Sequence, residues 1–104
     1  MQTLSPQQFQ QLIQRDSVCL LDVRMPEEVE VASLEGALHI PLHELPQRFG
    51  EIAGTGPVAI YCHHGVRSEH AARFLEQHGY TDVSHLAGGI DAWSVVIDPT
   101  LARY

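Results

Sequence analysis

Tyr61-Cys62-His63-His64-Gly65-Val66-Arg67-Ser68 is the stretch that decides the fold of this chain. The apolar run leading into it, Val58 to Tyr61, reads as a buried strand. The stretch from Ser68 to His78 reads as a helix with Ala71, Ala72, Phe74 and Leu75 on one face. Between them, residues 62–67 form a loop that opens on a cysteine and closes on an arginine. A thiol at the mouth of a helix meets unpaired backbone N–H groups and the positive end of the helix dipole, which favour its anion. Gly65 allows a tight loop whose successive N–H groups turn inward as a nest for negative charge. The expectation is a nucleophilic sulfur in an anion cradle.

Outward from this unit, the pattern of alternating strands and helices continues in both directions. Ser5-Pro6-Gln7-Gln8 has the form of a capping box with proline at the first helical position, opening a helix through about Arg15. Val18-Cys19-Leu20-Leu21 is continuously apolar, as a parallel strand covered on both faces must be. Pro26-Glu27-Glu28-Val29 starts a short helix with acidic residues in its first turn. Ala37 to Ile40 predicts a short strand stopped by Pro41, and Glu44 to Ile52 a helix whose start Pro46 constrains. Gly79 is placed to cap the helix after the loop, Val83 to Leu86 predicts a further strand, and Gly88-Gly89 leads into a helix through Trp93. Strands alternating with helices make an α/β fold, a parallel sheet with helices on both faces. Ligands in such sheets bind at the carboxyl ends of the strands, where Cys62 lies.

Composition narrows the class. With 104 residues, the chain is expected to form one domain, 1–104, around a single core. Its net charge of −7 argues against nucleic acid or an anionic membrane as partner, since phosphate contacts need clustered Lys and Arg. Neither a signal peptide nor a run of about 20 apolar residues is present, and two cysteines make no disulfide scaffold, so a cytoplasmic setting is expected.

Each candidate has a plainer reading beside the functional one. Cys19, between Val18 and Leu20, reads as a small core residue, whereas Cys62 ends its strand before a glycine-containing turn. Arg67 stands where a helix dipole disfavours cations, which calls for an anionic partner, either a substrate or an ion pair. Ser68 serves as a helix cap or as a donor toward the sulfur. His63, His64 and His70 lie near Cys62, and His39 and His43 are four apart, yet no spacing matches a zinc framework, and no metal is expected. Asp22, Arg24 and Glu28 read as an ion-pair set, Arg24 with Glu28 organising the turn after the first strand. Trp93 reads as a core anchor.

Three segments resemble the rhodanese family of sulfurtransferases. Leu21-Asp22-Val23-Arg24 with Pro26-Glu27-Glu28, Gly36-Ala37 and Ile40-Pro41 is similar to the family's N-terminal signature. Tyr61 to Ser68 resembles its active loop, and Leu86-Ala87-Gly88-Gly89-Ile90-Asp91-Ala92-Trp93 its C-terminal Gly-Gly-x-x-x-Trp signature. Ala32-Ser33-Leu34-Glu35 and Val29 depart from the first of these. The resemblance implies a rhodanese-like fold with a five-stranded parallel sheet. It implies Cys62 as the sulfur-carrying nucleophile, Arg67 assisting it, and His63, His64, Gly65, Val66 and Ser68 forming the substrate cradle. It also implies a donor such as thiosulfate or a protein persulfide, an acceptor such as cyanide, a thiol or a sulfur-carrier protein, and no cofactor. A cysteine-dependent phosphatase or arsenate reductase is a rival, but its loop places five residues between Cys and Arg, and here four intervene. A rhodanese-like interaction module without turnover is the other rival, and the intact Cys62 counts against it.

Overall fold

The chain is described over all 104 residues by a computed structural model. Its first strand, β1 (Gln2–Leu4), precedes the capped helix α1 (Pro6–Ile13). The capping box is formed as expected: the Gln8 N–H donates to Ser5 Oγ at 3.2 Å and the Ser5 N–H to Gln8 Oε1 at 2.9 Å. There follow β2 (Cys19–Asp22), α2 (Pro26–Val31), β3 (Leu38–His39), α3 (Leu45–Arg48), β4 (Val58–Tyr61), α4 (Val66–Gln77), β5 (Val83–Leu86) and α5 (Gly89–Val96). The strands form one parallel sheet in the order β1-β5-β4-β2-β3. No helix is long and apolar enough to cross a membrane.

The apolar strands are buried on both faces because helices cover both. Along β4, Val58, Ile60 and then Cys62 face a core shared with Leu45, Ile52, Ala71, Ala72 and Leu75. Ala59 and Tyr61 face the other core, with Phe9, Leu86, Ile90 and Trp93. Trp93 is the anchor expected of it, meeting Phe9 edge-on with centroids 6.2 Å apart. The strand period of two therefore delivers Cys62 to the side on which α4 lies.

Three sequence expectations need correction. The helix expected over 44–52 is α-helical only from Leu45 to Arg48, with 3-10 turns at Leu42–Glu44 and Phe49–Glu51. Pro46 lacks the N–H that an earlier helix start would require of it, and Gly50 lowers helix propensity beyond it. The helix expected from Ser68 begins at Val66, so Arg67 stands in its first turn instead of closing a loop. Gly65 takes a left-handed φ of 108° as N-cap, and its carbonyl already accepts from Glu69 at 3.2 Å. The residue pattern by itself gave four strands; the fifth is the three-residue β1, which pairs with β5 through Thr3–His85 and Leu4–Leu86.

Candidate active site

The site is assembled where β4 ends. Cys62 is 1% exposed, and its sulfur accepts the N–H of Gly65 at 3.1 Å and of Ser68 at 3.3 Å. These two donors are what the expected nest comes to in this chain: one at the bend of the loop, one from the first turn of α4. The amides of Val66 and Arg67, also in that first turn, have no intrahelical acceptor. Ser68 does neither job in the form foreseen: Gly65 is the N-cap, and the Ser68 hydroxyl, 3.5 Å from the sulfur, accepts from the thiol and donates to the Gly65 carbonyl at 3.1 Å.

The loop is held from behind by α5. The Ile90 N–H donates to the Cys62 carbonyl at 2.8 Å and the Asp91 N–H to the His63 carbonyl at 3.1 Å. Both carbonyls are thus engaged by the first turn of α5. This docking needs Gly89: a Cβ there would sit 2.3 Å from the His63 oxygen. Gly89 therefore does more than start a helix; it lets α5 lie against the loop backbone.

Arg67 meets an anion of the protein's own. Its guanidinium holds Glu28 at 2.6 and 2.9 Å, which joins α4 to α2. Hydrogen bonds from Arg67 hold the Glu28 carboxyl down at about 2, below its ordinary 4.5, and the same pair pushes Arg67 up. Glu28 thus belongs to Arg67 and not, as expected, to Arg24. Arg24 touches only the Glu28 carbonyl, at 3.3 Å. Its guanidinium instead clasps Asp22 at 3.0 and 2.7 Å and donates to the Ala32 carbonyl at 2.8 Å, all of it buried. That clasp ties the end of β2 to the end of α2, and α2 carries Glu28 to Arg67.

Tyr104 was not singled out in the sequence, yet it closes this set. Its hydroxyl accepts from Arg24 at 2.8 Å and donates to Glu28 at 2.9 Å, while its ring stacks on His63 at 3.8 Å. Burial, chiefly, pushes the phenol up to about 12. His63 in turn stacks on His64 at 3.8 Å. His63, His64 and Asp91 bring possible ligand atoms within 4.8 Å of one another. However, the two rings lie face to face, so their in-plane lone pairs run side by side, and Arg103 already holds Asp91 at 3.1 Å. Of the other histidines, His39 is bound to the Arg24 carbonyl at 2.6 Å, and His43 is 64% exposed. Cys19 packs against the core, and burial raises its thiol pKa, which keeps it protonated.

Behind Ser68 lies a residue that the sequence reading passed over. His85 is buried at 4% exposure in β5, with Nδ1 3.0 Å from Ser68 Oγ and Nε2 3.0 Å from Thr3 Oγ1. Burial lowers its pKa and keeps the ring neutral. A histidine inside an apolar parallel strand was the available signal.

The comparisons with known proteins agree with this fold. Residues 5–95 match the model of the rhodanese-like domain. A sulfurtransferase of Allochromatium vinosum is 41% identical over 85 residues, covering 82% of this chain and 79% of that protein. The thiosulfate sulfurtransferase GlpE of Tolumonas auensis is 38% identical over 90 residues, covering 86% and 85%. The solved structure of a rhodanese-related protein from Thermoplasma volcanium superposes with a TM-score of 0.83 at 27% identity, over 98% of this chain and 96% of that one. The protein belongs to the rhodanese-like domain family.

Proposed function

We propose that the protein is a sulfurtransferase that carries sulfane sulfur as a persulfide on Cys62. The observation that carries the reading is the convergence of the Gly65 and Ser68 N–H groups on the Cys62 sulfur. Preorganised donors aimed at the Cys62 sulfur stabilise the thiolate that attacks the donor and the thiolate that leaves at the end of the cycle, without reorganisation. Relatives named sulfurtransferase and thiosulfate sulfurtransferase support the same class.

In the first half-reaction the Cys62 thiolate attacks the outer sulfur of a donor such as thiosulfate. The donor's S–S bond breaks, sulfite leaves with the electron pair, and the new outer sulfur carries the negative charge. The free amides of Val66 and Arg67, on the turn next to Ser68, are placed to hold that outer sulfur. In the second half-reaction an acceptor such as cyanide or a thiolate takes the outer sulfur and Cys62 leaves as thiolate, so the cycle closes without a redox partner. His63, His64 and Val66 are assigned to the outer wall of the cradle because they flank Gly65 in the sequence between Cys62 and Arg67. Arg67 supplies positive charge next to it, and an incoming dianion competes with Glu28 for that guanidinium.

Turnover of thiosulfate with cyanide by the purified protein tests the reading. Cys62-dependent thiocyanate production supports it; no production with thiosulfate, and no sulfur taken up from a protein persulfide, overturns it.

A further inference from the structure

The basic side chains of this protein, histidines aside, are six arginines. Five of them are paired with acids of the protein itself, including the three near the active loop: Arg24 with Asp22, Arg67 with Glu28 and Arg103 with Asp91. The sixth, Arg15, comes just before β2, at the end of the parallel sheet opposite Cys62. His63 and His64 carry charge only when protonated. Above the range in which imidazole titrates, the site therefore holds no cation without a counter-charge.

Arg67 is the arginine that matters to a donor, because it lies close enough to Cys62 for the charge of the sulfur to act on it. Glu28 is not loosely attached to it. Its Oε1 accepts from Arg67 Nη1 at 2.6 Å and from the Met25 N–H at 3.1 Å. Its Oε2 accepts from Arg67 Nη2 at 2.9 Å and from the Tyr104 hydroxyl at 2.9 Å. Met25 and Tyr104 hold this partly buried carboxylate in place independently of Arg67. An anion seeking the guanidinium would have to displace a carboxylate that stays nearby and repels it. What remains to bind negative charge is the set of N–H groups at Cys62, and these converge on a single sulfur.

We propose that Glu28 is the specificity-determining residue for the donor, giving a site that takes sulfur from donors of single negative charge, such as thiosulfonates and alkyl persulfides, in preference to dianions such as thiosulfate. The inference rests on sulfur transfer by Cys62 and names the donor class for it. With a thiosulfonate, the Cys62 thiolate attacks the outer sulfur, the S–S bond breaks, and sulfinate leaves with the electron pair and one negative charge. Thiosulfate reacts in the same way but releases sulfite as a dianion close to Glu28. The net charge of −7 acts in the same direction, since it repels a dianion more strongly than a monoanion.

Methanethiosulfonate and thiosulfate are a matched pair of probes. Both carry the transferable sulfur on an oxidised sulfur, and they differ by one charge. kcat/KM is measured for each with cyanide as acceptor at about pH 8.5, above the range in which imidazole titrates. The two donors differ in intrinsic reactivity, so the quantity compared between proteins is the ratio of thiosulfate to methanethiosulfonate. In Glu28→Gln that ratio should rise roughly threefold to tenfold. An unchanged or lower ratio overturns the proposal. The unmodified protein gives a second measurement that needs no variant. Raising the ionic strength should increase kcat/KM for thiosulfate, and by more than for methanethiosulfonate, because screening weakens repulsion. Any other salt dependence overturns the proposal. So does the absence of transfer from both probes, whereas the sulfurtransferase reading falls only if a protein persulfide also fails to load Cys62.

Discussion

Glu28 grips Arg67 through both carboxylate oxygens, at 2.6 and 2.9 Å, across 39 residues of chain. The one arginine of the active loop is therefore already neutralised by the protein. On the proposed function, an anionic donor would compete with Glu28 for that guanidinium, and Glu28 would set how strongly it is drawn. Glu28→Gln should lower the KM for thiosulfate by roughly threefold to tenfold, about 0.7–1.4 kcal/mol, with a smaller change in kcat. Arg67→Ala should raise the KM instead. Steady-state kinetics of the two variants checks this, and equal KM values in all three proteins would remove Arg67 from donor binding.

The same pair makes a pH prediction. Glu28 sits at about 2 in the folded protein and near 4.5 when free of its partner. Its folded value is depressed, so its stabilising effect is fully present above about pH 4.5 and is lost as pH falls toward 2. In a partly exposed setting the effect is about 1–2 kcal/mol. Urea unfolding at pH 5 and pH 3 should show a smaller loss of stability in Glu28→Gln than in the unmodified protein.

What the sequence made legible was what neighbouring residues encode together. The capping box at Ser5, the apolar run into Cys62 and the glycine at position 65 each lie within a few residues of what they shape. The site's long-range partners left no such trace. Thr3 and His85 are 82 residues apart, and Tyr104 and Glu28 are 76 apart. The first meeting follows from strand order, which places β1 beside β5 and not beside β2, and the second from the tail after α5 reaching α2. A three-residue edge strand is also too short to show a period, so β1 and with it Thr3 escaped the residue pattern.

Gly89 is predicted to be irreplaceable. A Cβ there would lie 2.3 Å from the His63 oxygen and 2.5 Å from the Cys62 oxygen, on a residue with a φ of 63°. Those atoms are backbone of the active loop and cannot yield without turning the amides away from the sulfur. Gly89→Ala should destabilise by about 2–4 kcal/mol, combining left-handed strain with the clash. It should also abolish thiosulfate turnover, whereas Gly54→Ala, with nothing within 4 Å of its Cβ, should change neither.

Tyr104 contributes through its hydroxyl as well as its ring. Tyr104→Phe keeps the stack on His63 but removes the bonds to Arg24 and Glu28. The loss should be about 1–2 kcal/mol, because Arg24 is buried and is left short of an acceptor. Tyr104→Ala removes the stack too and should increase amide exchange in residues 63–65. Equal stability of Tyr104→Phe and the unmodified protein would mean water replaces the hydroxyl without loss.

The central claim concerns which sulfur works. Only Cys62 receives converging amides, while Cys19 lies packed against the core with its thiol kept protonated by burial. Intact mass and peptide mapping after incubation with thiosulfate measure this most directly. The account predicts one added sulfur on Cys62, removed by cyanide, absent in Cys62→Ser and retained in Cys19→Ser. Sulfur mapped to Cys19, or retained in Cys62→Ser, would contradict it.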